Sequence, residues 1–108
     1  MSRHLLPPRR PSATLACDWR GHAIDVTVGF DPAAGVVREV FAAVASGGQM
    51  ADALADACVV ISIALQHGIA AADLAKSLGR VPVFGRDATA PASPVGTILD
   101  AILLGGRF

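Results

Sequence analysis

The sequence contains few of the residues on which common protein chemistries depend. Its 108 residues include no tyrosine, one tryptophan and two cysteines, and aromatic residues make up 5% of the chain. Cys17 and Cys58 lie far apart, which excludes a CxxC redox pair and argues against a secreted disulfide framework. His4, His22 and His67 do not combine with cysteines or carboxylates at the spacing of a zinc site. We therefore predict no metal site and no cofactor.

Sequence patterns of nucleophilic and phosphate-binding enzymes are also missing. No serine stands in a GxSxG context, and neither a Walker lysine nor a GxGxxG spacing occurs. The serines therefore lack the neighbours that would activate them. We predict no catalytic residue in this chain.

Charge is scarce and balanced. Charged residues make up 17% of the chain, and nine basic residues against nine acidic ones give a formal net charge of 0. A general nucleic-acid binder needs a basic footprint, so nucleic acid is not the expected partner. With 53% hydrophobic residues and no net charge, little repulsion opposes self-association. We expect a homo-oligomer, with a dimer as its simplest form.

Long hydrophobic runs are absent from the sequence. Leu5 and Leu6 are the only apolar run before two prolines, which is too short for a signal peptide. The longest apolar runs, residues 57–65 and 101–104, fall well short of the roughly 20 residues that span a bilayer. We expect a cytoplasmic protein with no membrane partner.

Composition divides the chain into an arm and one domain. Residues 1–12 are rich in proline and basic groups, which favours an extended, flexible, solvated arm. Residues 13–108 are apolar and long enough for a single compact domain. Within it, residues 81–92 are rich in proline and small residues and are predicted to be an ordered or semi-ordered connection.

The first part of the domain predicts an antiparallel β-meander of about three strands. In the second strand Ile24, Val26, Val28 and Phe30 alternate with small or polar residues, which places four apolar side chains on one face. The third strand is apolar on both sides, and this predicts burial on both faces near its end. A strict alternation divides it into two faces: Val36, Arg38, Val40, Ala42 and Val44 on one, and Val37, Glu39, Phe41 and Ala43 on the other.

Three helices are predicted after the meander, which makes the fold class α+β. The long helix, from about Gln49 to His67, has an apolar stripe and then Val59 and Ile63 on its outer face as well. Such a helix lies at the centre of its domain or in a subunit contact. A short helix follows from about residue 70 to residue 78, and Ser93 is expected to cap a C-terminal helix that begins at Pro94.

The candidate ligand-binding residues flank the long helix. At its start, backbone N–H groups and the helix dipole favour a phosphate or carboxylate. At its end, a polar pair precedes a capping glycine, and an imidazole there can bond a ligand. The simpler interpretation in both places is a turn and a helix cap. The candidate residues are Ser46, Gly47, Gly48, Gln49, Gln66 and His67.

The remaining candidates are weaker. Trp19 and Phe30 on neighbouring strands suggest a stacking platform for a base, although a core assignment is more common. The basic arm suggests a contact with a phosphate backbone or an acidic partner, although such a run is usually a solvated terminus. Cys17 is reactive only if it is exposed, and Cys58 in the apolar stripe should be an inert buried thiol.

Two segments resemble a known family. Residues 46–80 read SGGQMADALADACVVISIALQHGIAAADLAKSLGR and residues 92–102 read ASPVGTILDAI. In order and character they resemble the TSCPD domain, which is found near the C-terminus of adenosylcobalamin-dependent ribonucleotide reductases and as short free-standing proteins. The naming peptide has changed here. Ser93 stands where the family cysteine would align and Val95 where its aspartate would, and only Pro94 persists.

The resemblance implies a role in assembly and not in catalysis. A complete reductase needs a barrel of several hundred residues with its radical and nucleotide sites, which this chain is too short to contain. We expect a non-catalytic accessory or assembly module, with a ribonucleotide reductase large chain as its partner, that supports deoxyribonucleotide synthesis. Two alternatives come from the residues themselves: a nucleotide- or phosphate-binding sensor, and an accessory binder of single-stranded nucleic acid.

Overall fold

Three N-terminal strands form one antiparallel sheet. The computed structural model describes residues 2–45 and 47–105. The strands lie in the order β1-β2-β3, with the ranges β1 (Ser12–Trp19), β2 (His22–Asp31) and β3 (Val36–Val44). The later elements are α1 (Gly48–Gln66), α2 (Ala71–Lys76), the two-stranded hairpin β4 (Arg80–Pro82) and β5 (Thr89–Pro91), and α3 (Pro94–Gly105). This architecture confirms the predicted α+β class.

The central strand β2 supplies the middle of the core. Ile24, Val26 and Val28 are each 0% exposed and Phe30 is 2% exposed, which confirms the predicted apolar face. Each such side chain contributes roughly 1.5–3 kcal/mol relative to an exposed one. The helices complete this core with Leu54, Cys58, Ile61, Leu65, Ile98, Leu99, Ala101 and Ile102.

A bulge in β3 changes the predicted faces of that strand. The register between β2 and β3 shifts beside Arg38, which is the extra residue. Val37 and Val40 are therefore both buried, whereas Val36 and Phe41 are exposed. The prediction that Val36 and Val40 share a face, and Val37 and Phe41 the other, was wrong because a two-residue period does not continue across a bulge.

The space above Gly29 is filled by the side chain of Glu39. A Cβ atom at position 29 would lie 2.6 Å from Glu39 Cγ, so a larger residue here would require the Glu39 side chain to move. The Glu39 carboxylate binds Arg10 through Nε and, at 3.0 Å, through Nη2. Arg10 Nη1 also donates to the Pro7 carbonyl at 2.9 Å. The N-terminal segment is thereby held against the sheet.

The outer edge of β3 is covered by α1. The Val40 N–H donates to Ser62 Oγ at 3.0 Å, and the Ser62 hydroxyl lies 3.3 Å from the Val40 carbonyl oxygen. Gln66 Nε2 donates to the Arg38 carbonyl at 3.1 Å, and Arg38 Nη1 donates to the Leu65 carbonyl at 2.7 Å. Helix side chains thus satisfy backbone groups that a free strand edge would expose.

Because α1 lies beside the sheet, part of the apolar surface of the helix is exposed to solvent. Val59 is 58% exposed, Val60 is 67% exposed and Ile63 is 37% exposed. The prediction that this helix lies at the centre of the domain was wrong, because no other segment of residues 2–45 and 47–105 covers these side chains. The alternative, a subunit contact, stays a prediction.

The C-terminal third forms a hairpin and a capped helix. Residues 80–91 form β4 and β5, where the sequence predicted only a connection, because Pro82 and Pro91 are tolerated on the edges of a two-stranded hairpin. The predicted cap of α3 is confirmed, since the Gly96 N–H donates to Ser93 Oγ at 3.2 Å and Pro94 is the first helical residue. Gly96 packs so closely on Pro91 that an added Cβ would lie 2.9 Å from the Pro91 Cβ.

One helix is apolar enough to be compared with a membrane span. Within the described residues, α1 is the one helix that is long and apolar enough to cross a membrane, by length and composition alone. A single helix of this kind is weak evidence, because core helices pass the same test. The contacts of Ser62 and Gln66 with β3 give α1 a place inside a globular domain.

Candidate functional site

The predicted ligand-binding residues lie at opposite ends of α1. Ser46 lies outside the described residues. Gly47, Gly48 and Gln49 stand at the start of the helix, and Gln66 and His67 stand at its end. Because α1 has 19 residues and a helix rises about 1.5 Å per residue, the two groups are about 27 Å apart. The predicted residues therefore lie in two separate places, one at each end of α1, and do not form one site.

The start of α1 is built from glycine backbone. Gly47 and Gly48 have φ angles of 65° and 81°, which are left-handed values that favour glycine. No side chain in the described part of the chain caps this end, and no acidic residue lies in the first turn. The Gly47 N–H donates to the Val44 carbonyl at 3.1 Å. The arrangement leaves first-turn N–H groups without a side-chain partner, which is the chemistry of a weak anion site.

The end of α1 is a network of internal hydrogen bonds. Gln66 is 6% exposed, its Oε1 accepts from Arg3 Nε, and its Nε2 donates to the Arg38 carbonyl. The Gln66 carbonyl accepts from the His4 N–H at 2.7 Å. The polar atoms of Gln66 are thus engaged within the chain. His67 is half-buried and closes the helix, with its N–H bonded to carbonyls of the last turn.

Arg38 joins this network to the first strands. Its side chain is 15% exposed, and its Nε lies 3.5 Å from Asp31 Oδ2. That distance gives an ion pair, and Arg38 Nε has no hydrogen bond among the described residues. Arg38 therefore links the β2–β3 turn to the last turn of α1.

An exposed apolar surface near these residues lies between α1 and β3. We call it the α1–β3 patch and define it as Phe41, Val59, Val60 and Ile63. Phe41 is 57% exposed and stands on the outer face of β3, next to the uncovered side of α1. A groove of about 370 Å³ runs between Phe41, Val59 and Ile63. The sequence pointed to Val59 and Ile63 but not to Phe41 as part of one surface, because strand and helix periods do not predict which residues meet.

A second groove lies at the C-terminal end of α1, between the start of β3, residues 68–71 and α3. It has a volume of about 470 Å³, and Arg38 is its charged group. Val36, Ile69 and Leu103 line it and are each about 42–43% exposed. The domain therefore presents two apolar concavities near the end of α1.

The thiols are poor nucleophiles. Burial raises the pKa of Cys58 to about 11. Burial, with a smaller contribution from the charge of Asp25, raises the pKa of Cys17 above its ordinary value. Because the thiolate is the reactive form, both side chains are held in the unreactive state at neutral pH. Residues 2–45 and 47–105 contain no group of three or more histidine, cysteine or acidic side chains that would hold a metal ion.

The aromatic and basic candidates have partners inside the chain. Trp19 stacks on His22 with ring centroids 5.9 Å apart, and the Arg20 guanidinium lies 5.0 Å from the centre of the Trp19 ring. In the arm, Arg3 binds Gln66, and Arg10 is paired with Glu39 on the sheet. Most of the side chains that were predicted to contact a nucleic acid thus already have partners within the chain.

Comparison with known proteins gives one result. The family model described as the TSCPD domain matches residues 3–103, which is nearly the whole chain. The match includes most of the N-terminal segment, the sheet and all three helices. No curated protein and no solved structure gives a match.

Proposed function

Because this chain belongs to the TSCPD domain family, we propose that it is a non-catalytic accessory module that binds a ribonucleotide reductase large chain. In this role it supports deoxyribonucleotide synthesis by holding or assembling the enzyme. We also propose that it self-associates and acts in the cytoplasm. The link to the reductase follows from where such domains occur, near the C-terminus of adenosylcobalamin-dependent reductases.

The observation that carries the proposal is the α1–β3 patch. Phe41, Val59 and Ile63 line a groove, and Val60, which is 67% exposed, lies one turn before Ile63 on the same helix. Monomeric proteins rarely leave such a surface open unless it serves a contact. Aromatic anchors such as Phe41 are enriched at the centres of protein interfaces.

The distribution of reactive groups favours binding over chemistry. Catalysis needs a nucleophile, a base and an orienting group within hydrogen-bond reach of each other. Here the two thiols have raised pKa values, and the hydrogen bonds of Gln66 are made to the chain itself.

A capture experiment tests the proposal. Tagged protein is mixed with an untagged adenosylcobalamin-dependent reductase large chain, and the retained amount is measured against protein concentration. The Val60→Asp variant should weaken capture at least about tenfold, because burying a charge in an apolar contact is costly. Leu104→Asp makes the same chemical change at a 77% exposed position on α3 and is the matched control.

Two results would contradict the proposal. One is wild-type protein that retains no large chain, and the other is a Val60→Asp variant that captures it as well as Leu104→Asp does. Both substitutions are at exposed positions, so both variants should fold and melt like the wild type.

A second candidate function is a phosphate or nucleotide sensor at the start of α1. The first-turn N–H groups without a side-chain cap favour it. The test is titration with nucleotides, followed by Trp19 fluorescence and melting temperature. A ligand that binds the folded state raises the melting temperature as its concentration passes the dissociation constant. No change at millimolar nucleotide would remove this candidate.

The single-strand nucleic-acid binder is the least favoured alternative. Arg3 and Arg10 already have partners in the chain, and Trp19 is in contact with Arg20 and His22. A filter-binding assay over a range of salt concentrations distinguishes it, because phosphate contacts make affinity fall steeply with salt.

A further inference from the structure

The sheet has one covered edge and one open edge. α1 covers the β3 edge through Ser62 and Gln66, as described above. At the opposite edge, strand β1 pairs only with β2, and in residues 2–45 and 47–105 no other segment hydrogen-bonds to its backbone. An open edge of this kind is a template for pairing with another strand.

The hairpin geometry determines which groups of β1 are free. Trp19 pairs with His22 across the two-residue turn, which makes this the first hydrogen-bonded pair of the ladder. Every second residue before Trp19 therefore bonds to β2, and the residues between them direct N–H and C=O away from it. The outward-bonding residues are Ser12, Thr14, Ala16 and Asp18.

The core is also incomplete on this side. The inward-facing residues of β2 are 0–2% exposed, as given above. The inward-facing residues of β1 are all only half-buried, and they are Ala13, Leu15, Cys17 and Trp19. Burial thus decreases toward the open edge, so a row of half-buried apolar side chains lies there beside the row of free backbone groups.

β1 carries none of the features that protect edge strands. Strand edges are usually made unattractive by lysine, proline, a bulge or a very short length. The eight residues of β1 include no lysine, no proline and no bulge, and Asp18 is the single charged residue. The formal net charge of the whole chain is 0, so no overall repulsion keeps two copies apart.

We propose that β1 pairs antiparallel with β1 of a second copy, so that two three-stranded sheets become one six-stranded sheet. The proposal deepens the assembly role proposed above and rests on it. A two-fold axis beside Leu15 places Thr14 opposite Ala16 of the second copy and brings the two Leu15 side chains together. A second copy is the natural occupant because an isologous contact presents the same edge twice in antiparallel orientation.

The size of the edge sets the expected affinity. Eight residues of strand span about 27 Å, and a sheet with one packed layer is about 10–15 Å thick. The contact is then roughly 300–400 Å² per copy, about half of the 800 Å² of a standard interface. We expect a concentration-dependent dimer with a dissociation constant in the micromolar range.

Charge substitutions on the outer face of β1 test the pairing. Thr14→Lys with Ala16→Lys sets lysine opposite lysine at both positions around the axis, and Thr14→Glu with Ala16→Glu sets glutamate opposite glutamate. Each double variant should raise the dissociation constant at least about tenfold. An equimolar mixture of the two should restore the dimer. Ala16→Val keeps both the N–H and the neutral surface and should dimerise like the wild type.

Mass measurements by light scattering or sedimentation across the micromolar range give the result. Wild-type protein that stays monomeric to millimolar concentration would overturn the proposal. It would also fail if the lysine and glutamate variants dimerise as tightly as the wild type, or if Val60→Asp alone abolishes the dimer. The last outcome would assign self-association to the α1–β3 patch.

Hydrogen exchange in the wild type tests the same edge without any substitution. The amides of Thr14 and Ala16 should become protected as protein concentration rises, whereas those of Leu15 and Cys17, which face β2, should be protected at every concentration. If the amides of Thr14 and Ala16 showed the same dependence on protein concentration as those of Leu15 and Cys17, the proposed edge would be wrong. A monomer that still captures the reductase chain would refute only the β1 pairing, and a dimer that captures none would refute only the proposed function.

Discussion

Replacing Ser62 with alanine should show how much the covered edge of β3 contributes to stability. Ser62 Oγ accepts from the Val40 N–H at 3.0 Å and lies 3.3 Å from the Val40 carbonyl oxygen. Val40 is 1% exposed, so water cannot easily replace the lost hydroxyl. Leaving buried backbone groups without a partner costs about 1–3 kcal/mol, and alanine regains up to about 0.5 kcal/mol through its higher helix propensity.

We expect Ser62→Ala to lower the free energy of unfolding by about 2 kcal/mol, which corresponds to roughly 8 °C in melting temperature for a domain of this size. Chemical denaturation at one fixed protein concentration measures the change, since self-association would make stability depend on concentration. The matched control is Ser77→Ala. Ser77 is exposed and its hydroxyl makes only a 3.4 Å contact with the Asp73 carbonyl, so the change should be within about 0.5 kcal/mol.

Amide exchange gives a second measure of the same contact. The Val40 amide should exchange faster in Ser62→Ala than in the wild type, beyond what the change in global stability explains. A Ser62→Ala protein within about 0.5 kcal/mol of the wild type, with unchanged protection of Val40, would refute the conclusion that α1 satisfies the β3 edge.

Three further predictions follow from close contacts and burial. Gly29→Ala should destabilise the domain by about 2 kcal/mol because the new Cβ meets Glu39, and adding Glu39→Ala should recover part of that loss in thermal denaturation. Gly96→Ala should also be destabilising, since the new methyl lies 2.9 Å from the rigid ring of Pro91, and denaturant unfolding against Gly79→Ala, where φ is not positive and the new methyl lies 3.4 Å from Ala92 Cβ, would separate this clash from a general glycine effect. The pKa of Cys58 is raised to about 11 in the folded state, so the unfolded thiol ionises first and stability should fall as pH rises from about 9 toward 11. Cys58→Ala should remove that part of the alkaline loss, and an unchanged pH profile would contradict the assignment.

Much of the fold was predictable because it depends on local periodicity and capping. The alternation in β2 predicted its buried face, and the apolar stripe of α1 predicted its extent to within a residue at each end. Ser93 and Pro94 predicted the start of α3, since the capping hydrogen bond lies within one turn of the chain. These features are determined by residues that are neighbours in sequence.

The errors arose where distant segments meet. The bulge at Arg38 depends on pairing with β2 and on the contact of the Arg38 side chain with the end of α1, so the alternation within β3 alone misassigned Val36 and Val37. The β4–β5 hairpin was not predicted because prolines normally argue against strands. Arg80 stabilises the hairpin by bonding to Thr89 and Asp100, and these contacts are visible only in the tertiary structure.

The candidate site also differs from the sequence prediction, because it too depends on contacts between distant segments. Gln66 was predicted as a ligand-binding residue, and whether it binds a ligand is still a prediction, but its side chain is already bonded to Arg3 and to the Arg38 carbonyl. The α1–β3 patch joins a strand residue, Phe41, to Val59 and Ile63 on the helix. No sequence period relates them, because their proximity depends on the packing of α1 beside β3.

The sequence by itself determined the α+β class, the buried face of β2 and the positions of the helices, because each of these follows from short-range pattern and from composition, and its resemblance to the TSCPD domain indicated the family. Only the tertiary structure decided which strand edge α1 covers, which edge stays open, and which apolar side chains remain exposed. The physical reason is that backbone groups at a strand edge are the same in every sequence, and their satisfaction depends on which distant side chains the fold brings to them.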